Sequence, residues 1–228
     1  MDRATLIKSV AQATPTYTMV AFQLPKKLFE SMDSLLKQFW WSPKKEEKHY
    51  LTPMAWSSLC WPIKEEGLGF RKFWDFNLAM LSKLAWWVLT RKDSQCINLL
   101  KSKYKVRKNW LSSRTTNNAL WTWRSLERAK SILKEGACLT IGNSNNILVW
   151  EDPWIPDNPQ FRPNPKDEAS NSNSLVVAQL LNQEGLCWDV EKLQSLFDQE
   201  TVKAIRRIPI CPHSQDKWYG QNLIMGRC

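Results

Sequence analysis

Histidine and glycine are scarce in this sequence, with two and seven copies in 228 residues. Because histidine is the side chain that titrates near neutral pH, His49 and His213 offer little for general acid–base catalysis. The sequence also lacks a Gly-x-Ser-x-Gly turn, a glycine-rich loop ending in Gly-Lys-Ser/Thr, a His-Glu-x-x-His pair and a closely spaced aspartate pair for two magnesium ions. We therefore expect no catalytic residue and no cofactor, and predict that the chain is not itself an enzyme.

Closely spaced cysteines are absent as well. The six cysteines are at least 17 residues apart, whereas zinc ligands pair at separations of about two to four residues. We expect no metal site and reduced thiols. No targeting segment follows Met1, and the apolar stretch 78–89, broken by Ser82 and Lys83, is too short to cross a bilayer. These absences predict an intracellular, soluble protein of the nucleus or cytoplasm without a membrane partner.

Positive charge is in excess and unevenly distributed. The chain carries 32 lysines and arginines against 22 acidic residues, a formal net charge of +10. Residues 1–114 hold 20 of the basic and 9 of the acidic residues, so the first half contains the whole surplus. This asymmetry predicts an anionic partner, and nucleic acid is favoured over a membrane because the helical patterns there are too aromatic for an interfacial helix. A surface that is merely solubilised is the alternative.

Apolar spacing predicts helices throughout the first half. Pro25 is placed to open an amphipathic helix that runs to about Trp40. Asp75 is expected to cap a helix running to about Thr90, and because that segment is apolar nearly all round, it should be the centre of the domain. Further helices are predicted over residues 5–12, 93–104 and 117–134.

The pattern changes near residue 137. Two β-type runs, 138–141 and 147–151, flank Gly142 and several small polar residues, which predicts a β-hairpin. Five prolines between residues 152 and 172 predict an irregular, partly exposed linker. Short helices are expected at about 174–183, 189–197 and 199–206. From Trp218 the chain begins like a strand that has nothing to pair with.

These patterns predict a mainly α protein. A basic helical domain, 1–115, is expected to precede a helix and β-hairpin module, 116–156. A proline-rich linker, 157–173, then leads to short helices and a C-terminal segment, 174–228. The second half is therefore expected to be a small α+β module with one β-hairpin.

The sharpest chemical feature is a basic segment at the end of the predicted helix 93–104. It contains Lys101, Lys103, Lys105, Arg107 and Lys108. Ammonium groups at a helix end contact phosphates without reading bases, and Tyr104 and Trp110 within the segment are candidates for stacking. A solvated helix end is the alternative. A weaker second candidate is formed by Lys44, Lys45 and Lys48, whose charge is partly neutralised by Glu46 and Glu47.

Fourteen tryptophans invite the interpretation that some are platforms for nucleic-acid bases. Several fall on apolar faces at helical spacing, where large rings bury much area. We therefore predict core positions for Trp40, Trp56, Trp86, Trp87 and Trp121.

Several ordered motifs resemble a known family. They are Leu6-Ile-Lys-Ser-Val-Ala-Gln-Ala13, Leu24-Pro-Lys-Lys27, Phe39-Trp-Trp41, Glu66-Gly-Leu-Gly-Phe-Arg71, Lys83-Leu-Ala-Trp86, Trp121-Thr-Trp-Arg124, Ile141-Gly-Asn143 and Val149-Trp-Glu-Asp-Pro-Trp-Ile-Pro156. The series resembles the region after the polymerase palm in plant LINE-type, non-LTR retroelement reverse transcriptases, and the match covers most of residues 4–210. Glu66 stands where the family pattern commonly has glycine.

The resemblance implies a thumb-like helical region that grips template and primer. In that family the catalytic Asp-Asp motif lies upstream and a Cys/His zinc module lies downstream, so no catalytic residue carries over to this chain. The expected function is that of a reverse transcriptase fragment that binds the backbone of RNA or an RNA–DNA duplex non-specifically. Two alternatives remain: an expressed retroelement remnant without a selected function, and a non-catalytic subunit that completes a polymerase in trans with a palm-bearing chain.

Overall fold

Helices make up most of the secondary structure in the computed structural model, which describes residues 2–42, 51–107, 109–113, 119–166, 175–182, 187–212 and 214–220. The predicted mainly α fold is confirmed. The α-helices are α1 Arg3–Leu6, α2 Thr16–Ala21, α3 Lys26–Trp41, α4 Trp56–Leu59, α5 Phe73–Leu89, α6 Gln95–Lys103, α7 Trp121–Gly136, α8 Val190–Leu196 and α9 Gln199–Arg206. The two strands are β1 Ala137–Thr140 and β2 Lys217–Gly220.

The chain divides into two compact units, Met1–Lys130 and Ser131–Cys228. The predicted subdivision at residues 115, 156 and 173 stays a prediction. Within the described ranges, no helix is both long enough and apolar enough to span a bilayer.

Helix α5 is the central element of the first unit, as its nearly uniform apolar sequence predicts, and it packs against α2, α3 and α6. Leu81 and Ala85 are fully buried. The polar side chain of Asn77 is buried at no loss of hydrogen bonds, because its amide donates to the Met19 carbonyl at 2.6 Å and to the Phe22 carbonyl at 2.8 Å. Those carbonyls lie at the C-terminal end of α2, so one side chain joins the two helices.

The predicted cap of α5 is wrong. Asp75 lies inside the first turn, and the helix begins two residues earlier, at Phe73. The Phe73 amide donates instead to Oδ1 of Asp33 on α3, at 3.4 Å. A carboxylate distant in sequence therefore accepts a hydrogen bond from the N-terminus of α5, a role that was expected of the local residue Asp75.

Helix α3 follows Pro25 directly, one residue later than predicted. Its last turn is satisfied by Arg3, which donates to the Trp40 carbonyl at 3.1 Å and to the Ser42 carbonyl at 2.8 Å. Its apolar side chains are only partly covered: Phe29 and Leu36 are buried, Met32, Trp40 and Trp41 are half-buried, and Leu28, Leu35 and Phe39 are exposed.

A tight turn precedes α5. Gly67 approaches the backbone of Trp61 so closely that a Cβ atom would overlap its carbonyl, which only glycine avoids. The preceding residue, Glu66, ends a 3₁₀ turn, Ile63–Glu65, in the left-handed conformation with φ 63°. This is the position where the family pattern has glycine.

The predicted β-hairpin of the second unit is wrong. Strand β1 pairs antiparallel with β2, in the register Cys138 to Tyr219 and Leu139 to Trp218. The strand-like end of the chain therefore has a partner, contrary to expectation. The second run of the predicted hairpin contributes only a bridge between Leu148 and Val176.

The turn after β1 is held by the segment that leads into β2. Oδ1 of Asp216 accepts from the amides of Gly142 and Ser144, at 2.8 and 3.0 Å. A Cβ at Gly142 would overlap the Ser214 carbonyl. The small residues of the predicted hairpin turn thus serve a close approach of two distant segments.

The core of the second unit forms around Trp154, which is fully buried and donates from its indole to the Val149 carbonyl at 2.9 Å. The predicted terminal helices α8 and α9 are confirmed, and each begins at an aspartate cap, Asp189 and Asp198. A 3₁₀ turn, Val177–Leu180, occupies part of the first predicted one. The proline-rich stretch, described as far as residue 166, contributes buried Phe161 to the core.

Candidate nucleic-acid interface

The basic segment lies at the C-terminal end of α6. Ile97 and Leu100 are buried and fix one face of this short helix. Lys101 is half-buried in the last turn, and Lys103 is exposed at the last helical residue. Cations at this end of a helix are favoured because the last carbonyls carry partial negative charge.

A Schellman turn ends α6 and aims the next residues outward. The Val106 amide donates to the Lys101 carbonyl at 3.0 Å, and the Lys105 amide donates to the Ser102 carbonyl at 3.3 Å, the two bonds that define this motif. Lys105 adopts a left-handed φ of 48° in the place that usually holds glycine. A non-glycine residue there costs roughly 1–2 kcal/mol. Lys105 and Arg107 are both exposed.

Aromatic side chains hold the segment against α7. The Tyr104 ring stacks on Trp123 with centroids 4.3 Å apart and an interplanar angle of 12°. The Tyr104 hydroxyl accepts from the Leu120 amide at 3.1 Å. The Trp110 ring lies 5.7 Å from the same Trp123 ring. Tyr104, inside the basic segment, and Trp110, just after it, therefore both attach the segment to α7.

A buried polar cluster completes this attachment. The Trp110 indole donates to Oε1 of Glu127 at 3.0 Å, and Nζ of Lys130 lies 2.7 Å from Oε2 of Glu127. Lys130 also donates to the Ser113 hydroxyl at 3.2 Å and lies 4.8 Å from the centre of the Trp110 ring. The side chains of Glu127 and Lys130 are each 5% exposed. These two charges are therefore structural and inaccessible to a ligand.

The aromatic contacts overturn one part of the sequence interpretation. Trp110 is 4% exposed, so its ring is closed to an incoming base, whereas Tyr104 is half-buried and Trp123 covers one face of its ring. The prediction that Trp110 can stack on a nucleic acid is wrong because spacing alone does not reveal its burial against Trp123. Stacking of a base on Tyr104 stays a prediction. Among the tryptophans predicted to be core, Trp121 is 55% exposed, whereas Trp40, Trp56, Trp86 and Trp87 are partly buried.

The cations themselves remain accessible. Within the described ranges, Lys101, Lys103, Lys105 and Arg107 form no salt bridge. Nζ of Lys103 lies 5.9 Å from the centre of the adjacent Tyr104 ring. Residues 94–126 contain no aspartate or glutamate, so the positive potential of the segment is not cancelled locally. The remaining predicted contacts, Lys108, Lys44, Lys45 and Lys48, lie outside the described residues.

Sequence reasoning missed a second group of cations, at the end of α5. Lys83 and Lys92 both have their ammonium groups near the Trp87 ring, 5.5 and 3.9 Å from its centre. Arg91, which precedes Lys92 in the chain, is exposed. The signal was partly present in the spacing, because Lys83 and Trp87 are four residues apart and share one face of α5, whereas Arg91 lies just beyond the end of the helix.

No three potential metal ligands cluster in the part of the chain that the structure describes. Burial raises the pKa of the Cys60 thiol to about 11 and that of Cys138 to about 12. Burial also raises the pKa of Asp152, whose Oδ2 accepts from the Leu148 amide at 2.8 Å and so holds a turn. None of these groups lies in the basic segment.

Comparison with curated proteins identifies relatives in Arabidopsis thaliana. One, named "Putative ribonuclease H protein", is 29% identical over 212 residues, which are 90% of this chain and 33% of that protein. The chain thus spans about a third of that relative's length. Another, named "Uncharacterized mitochondrial protein", is 32% identical over 152 residues, which are 66% of this chain and 98% of that protein. No family model and no solved structure matches.

Proposed function

The chain belongs to the family of the uncharacterized mitochondrial protein of Arabidopsis thaliana. Because the name of that relative states no activity, we propose a function from the residues of this chain. The chain binds the sugar-phosphate backbone of RNA or of an RNA–DNA duplex without reading its sequence. The contacts are Lys101, Lys103, Lys105, Arg107 and Lys108. No cofactor takes part, and the chain performs no catalysis alone.

One observation carries this proposal. The described cations of the basic segment, Lys101, Lys103, Lys105 and Arg107, form no salt bridge with the described residues and lie in a stretch without acidic residues. Buried contacts of the neighbouring aromatic side chains hold this segment in place. A purely solubilising surface does not need such an anchor, because solvated lysines are equally effective on a mobile loop. A fixed row of cations, in contrast, suits a ligand with regularly spaced negative charges.

The residue types favour backbone contact over base recognition. Lysine is a compact point charge on a flexible stem and contacts phosphates from many angles, whereas base reading depends on planar side chains with fixed donors and acceptors. Because Trp110 is buried and Trp123 covers one face of Tyr104, stacking on bases is no part of the proposal. Binding is therefore tolerant of sequence and weakens as salt rises.

The origin we propose follows the family resemblance. The chain corresponds to the thumb and connecting region of a LINE-type retroelement reverse transcriptase, and one relative carries ribonuclease H in its name. In such an enzyme the thumb holds the template–primer duplex while another domain supplies the metal-binding aspartates. The basic segment is in this view a grip that acts beside an active centre.

The test is a salt titration of binding with a fluorescent RNA–DNA hybrid. The 228-residue chain is expected to bind with a dissociation constant on the order of micromolar at physiological salt. Changing Lys101, Lys103, Lys105, Arg107 and Lys108 to Glu should abolish the complex. Circular dichroism of the variant should remain helical, because the described members of the set are surface or partly exposed residues.

A matched control separates the site from net charge. The five exposed residues Lys8, Lys27, Lys64, Arg206 and Lys217 change to Glu in a second variant with the same total charge. This control should keep most of the affinity. If both variants lose binding equally, or if the first keeps wild-type affinity, the basic segment is not the contact surface.

A second function follows from the same family resemblance. The chain would then complete a polymerase in trans with a palm-bearing chain. Primer extension by the chain alone should be absent, and extension should appear when such a partner co-purifies. A chain that aggregates or lacks cooperative unfolding would instead support a remnant without function.

A further inference from the structure

We propose that the C-terminal end of α5 is a second phosphate-binding point, formed by Lys83 and Lys92 at the ring of Trp87 and by Arg91, which adjoins Lys92 in the chain. The inference rests on the proposed function, since the ligand is the same class of nucleic acid, but it assigns a surface that the basic segment does not include. We call these four residues the Trp87 cluster.

The ring of Trp87 positions two of the cations. Nζ of Lys92 lies 3.9 Å from the ring centre and Nζ of Lys83 lies 5.5 Å from it. Attraction to the ring face restricts both flexible side chains. Like charges gathered at one ring repel each other, and a bound anion relieves that repulsion. The arrangement is therefore favourable for a ligand that carries negative charge.

Arg91 adds a third cation at a left-handed position. Its φ is 55°, and the turn around it has the two bonds of a Schellman motif. The Lys92 amide donates to the Trp87 carbonyl at 3.0 Å, and the Arg91 amide donates to the Val88 carbonyl at 3.4 Å. Glycine would occupy this place with less strain. Strain that persists at a charged surface position is a reason to look for a function there.

No carboxylate pairs with these cations in the part of the chain that the structure describes, and the adjacent Asp93 accepts instead from the side-chain amide of Asn98 at 3.1 Å. Lys83, Arg91 and Lys92 form no salt bridge there, and the two lysines instead face the Trp87 ring. Favourable interaction with the end of the helix accounts for a basic residue near Leu89, but not for Lys83, which lies nearly two turns earlier.

The Trp87 cluster and the basic segment lie at opposite ends of α6 in the same unit. Nine helical residues rise about 13 Å, and a duplex carries one charge for roughly every 1.7 Å of its axis. A single nucleic acid therefore has several phosphates over this separation. We infer that both groups contact one bound molecule rather than two.

The experiment compares salt slopes of binding to the same RNA–DNA hybrid. Changing Lys83, Arg91 and Lys92 to Gln should reduce the slope of log affinity against log salt by about three, one for each phosphate that the variant no longer neutralises. Changing the exposed residues Lys8, Lys27 and Lys64 to Gln is the matched control and should leave the slope nearly unchanged. A triple variant with the wild-type slope overturns the proposal.

A single substitution separates binding from structure. Arg91→Gly should raise the melting temperature, because the left-handed strain is removed, and at the same time reduce the salt slope by about one. If Arg91 has only a structural role, the melting temperature rises and the slope stays the same, which overturns its assignment.

The two proposals fail in different ways. If the wild-type chain binds no hybrid even in dilute buffer, both are wrong. If charge reversal of the basic segment abolishes binding while the Trp87 cluster variant keeps its slope, only the second binding point is wrong. Equal binding of wild-type protein to anionic phospholipid vesicles, abolished in the cluster variant, would reassign the surface to membranes and overturn the nucleic-acid ligand.

Discussion

Glu127→Gln should destabilise the first unit strongly while making the chain more basic. The substitution keeps the size of the side chain and an oxygen that accepts from the Trp110 indole. It removes the negative charge 2.7 Å from Nζ of Lys130, which is only 5% exposed. Lys130 then becomes a buried cation without its carboxylate, beside the Ser113 hydroxyl and the Trp110 ring.

The magnitude follows from burial. Removing one partner of a buried ion pair typically costs about 3–5 kcal/mol, whereas an exposed pair is worth about 0–1 kcal/mol. Because the Ser113 hydroxyl and the Trp110 ring still stabilise the ammonium group, we expect the lower end, about 3 kcal/mol. Lys26 and Glu30 provide an exposed comparison, with side chains 74% and 62% exposed. Glu30→Gln should change the free energy of unfolding by less than about 1 kcal/mol.

Urea unfolding measures both values, and a double-mutant cycle identifies their origin. Adding Lys130→Met to Glu127→Gln removes the stranded charge, so the double variant should be more stable than Glu127→Gln alone. The denaturant slope should stay constant across the series if only the native state changes. A Glu127→Gln cost below about 1 kcal/mol, or a double variant with the summed cost of both singles, would refute the reasoning.

The same variant tests how the basic segment is held. Glu127→Gln raises the net charge by one, which on electrostatic grounds alone should strengthen binding to a nucleic acid. If the segment works because it is anchored, affinity should fall instead, since the cluster that fixes Trp110 and Ser113 is disrupted. An affinity that rises with the charge would show that anchoring is irrelevant.

Two further predictions concern local chemistry. Glu66→Gly should stabilise the chain by about 1 kcal/mol, measured by urea unfolding, because a left-handed non-glycine residue is replaced; an unchanged midpoint would contradict this. At pH 8, iodoacetamide should label exposed Cys96 much faster than Cys138, which is 1% exposed and whose pKa burial raises to about 12; peptide mass spectrometry that finds equal rates would contradict it.

The helices of the first unit could be predicted because their information is local. The apolar character of α5 on nearly every side determines its central place, and the spacing of Ile97 and Leu100 defines the covered face of α6. Caps were less predictable. Asp33 accepts a hydrogen bond from the Phe73 amide, 40 residues away in the sequence. The residues around Phe73 give no sign of this partner.

The strand pairing could not be predicted for the same reason. The run 138–141 is followed closely by a second β-type run, 147–151, and short turns usually join neighbouring strands. The actual partner of Leu139 is Trp218, far along the chain. Asp216 selects this pairing by accepting from the amides of Gly142 and Ser144. A carboxylate that fixes a turn from a distance leaves no periodic trace in the sequence.

The basic segment was predicted in charge but not in the role of its aromatics. Five cations in eight residues are evident from the sequence. Tyr104 and Trp110 both pack on Trp123, which belongs to the next helix. The element that a loop packs on determines which of its side chains are exposed to solvent. A short aromatic and basic sequence does not contain that information, so stacking residues and core residues cannot be distinguished in it.

Comparing three left-handed residues of the first unit, Glu66, Arg91 and Lys105, separates the cost of backbone strain from the electrostatic gain at a helix end. Each has a φ between 48° and 63° after a helical turn. Arg91 and Lys105 follow α-helices of 17 and 9 residues, where a cation near the last carbonyls gains about 0.3–1 kcal/mol. Glu66 follows a 3₁₀ turn of three residues and has no such gain. Substitution by glycine should therefore stabilise most at 66 and less at 91 and 105, and equal gains at all three would show that the helix ends contribute nothing to holding these cations.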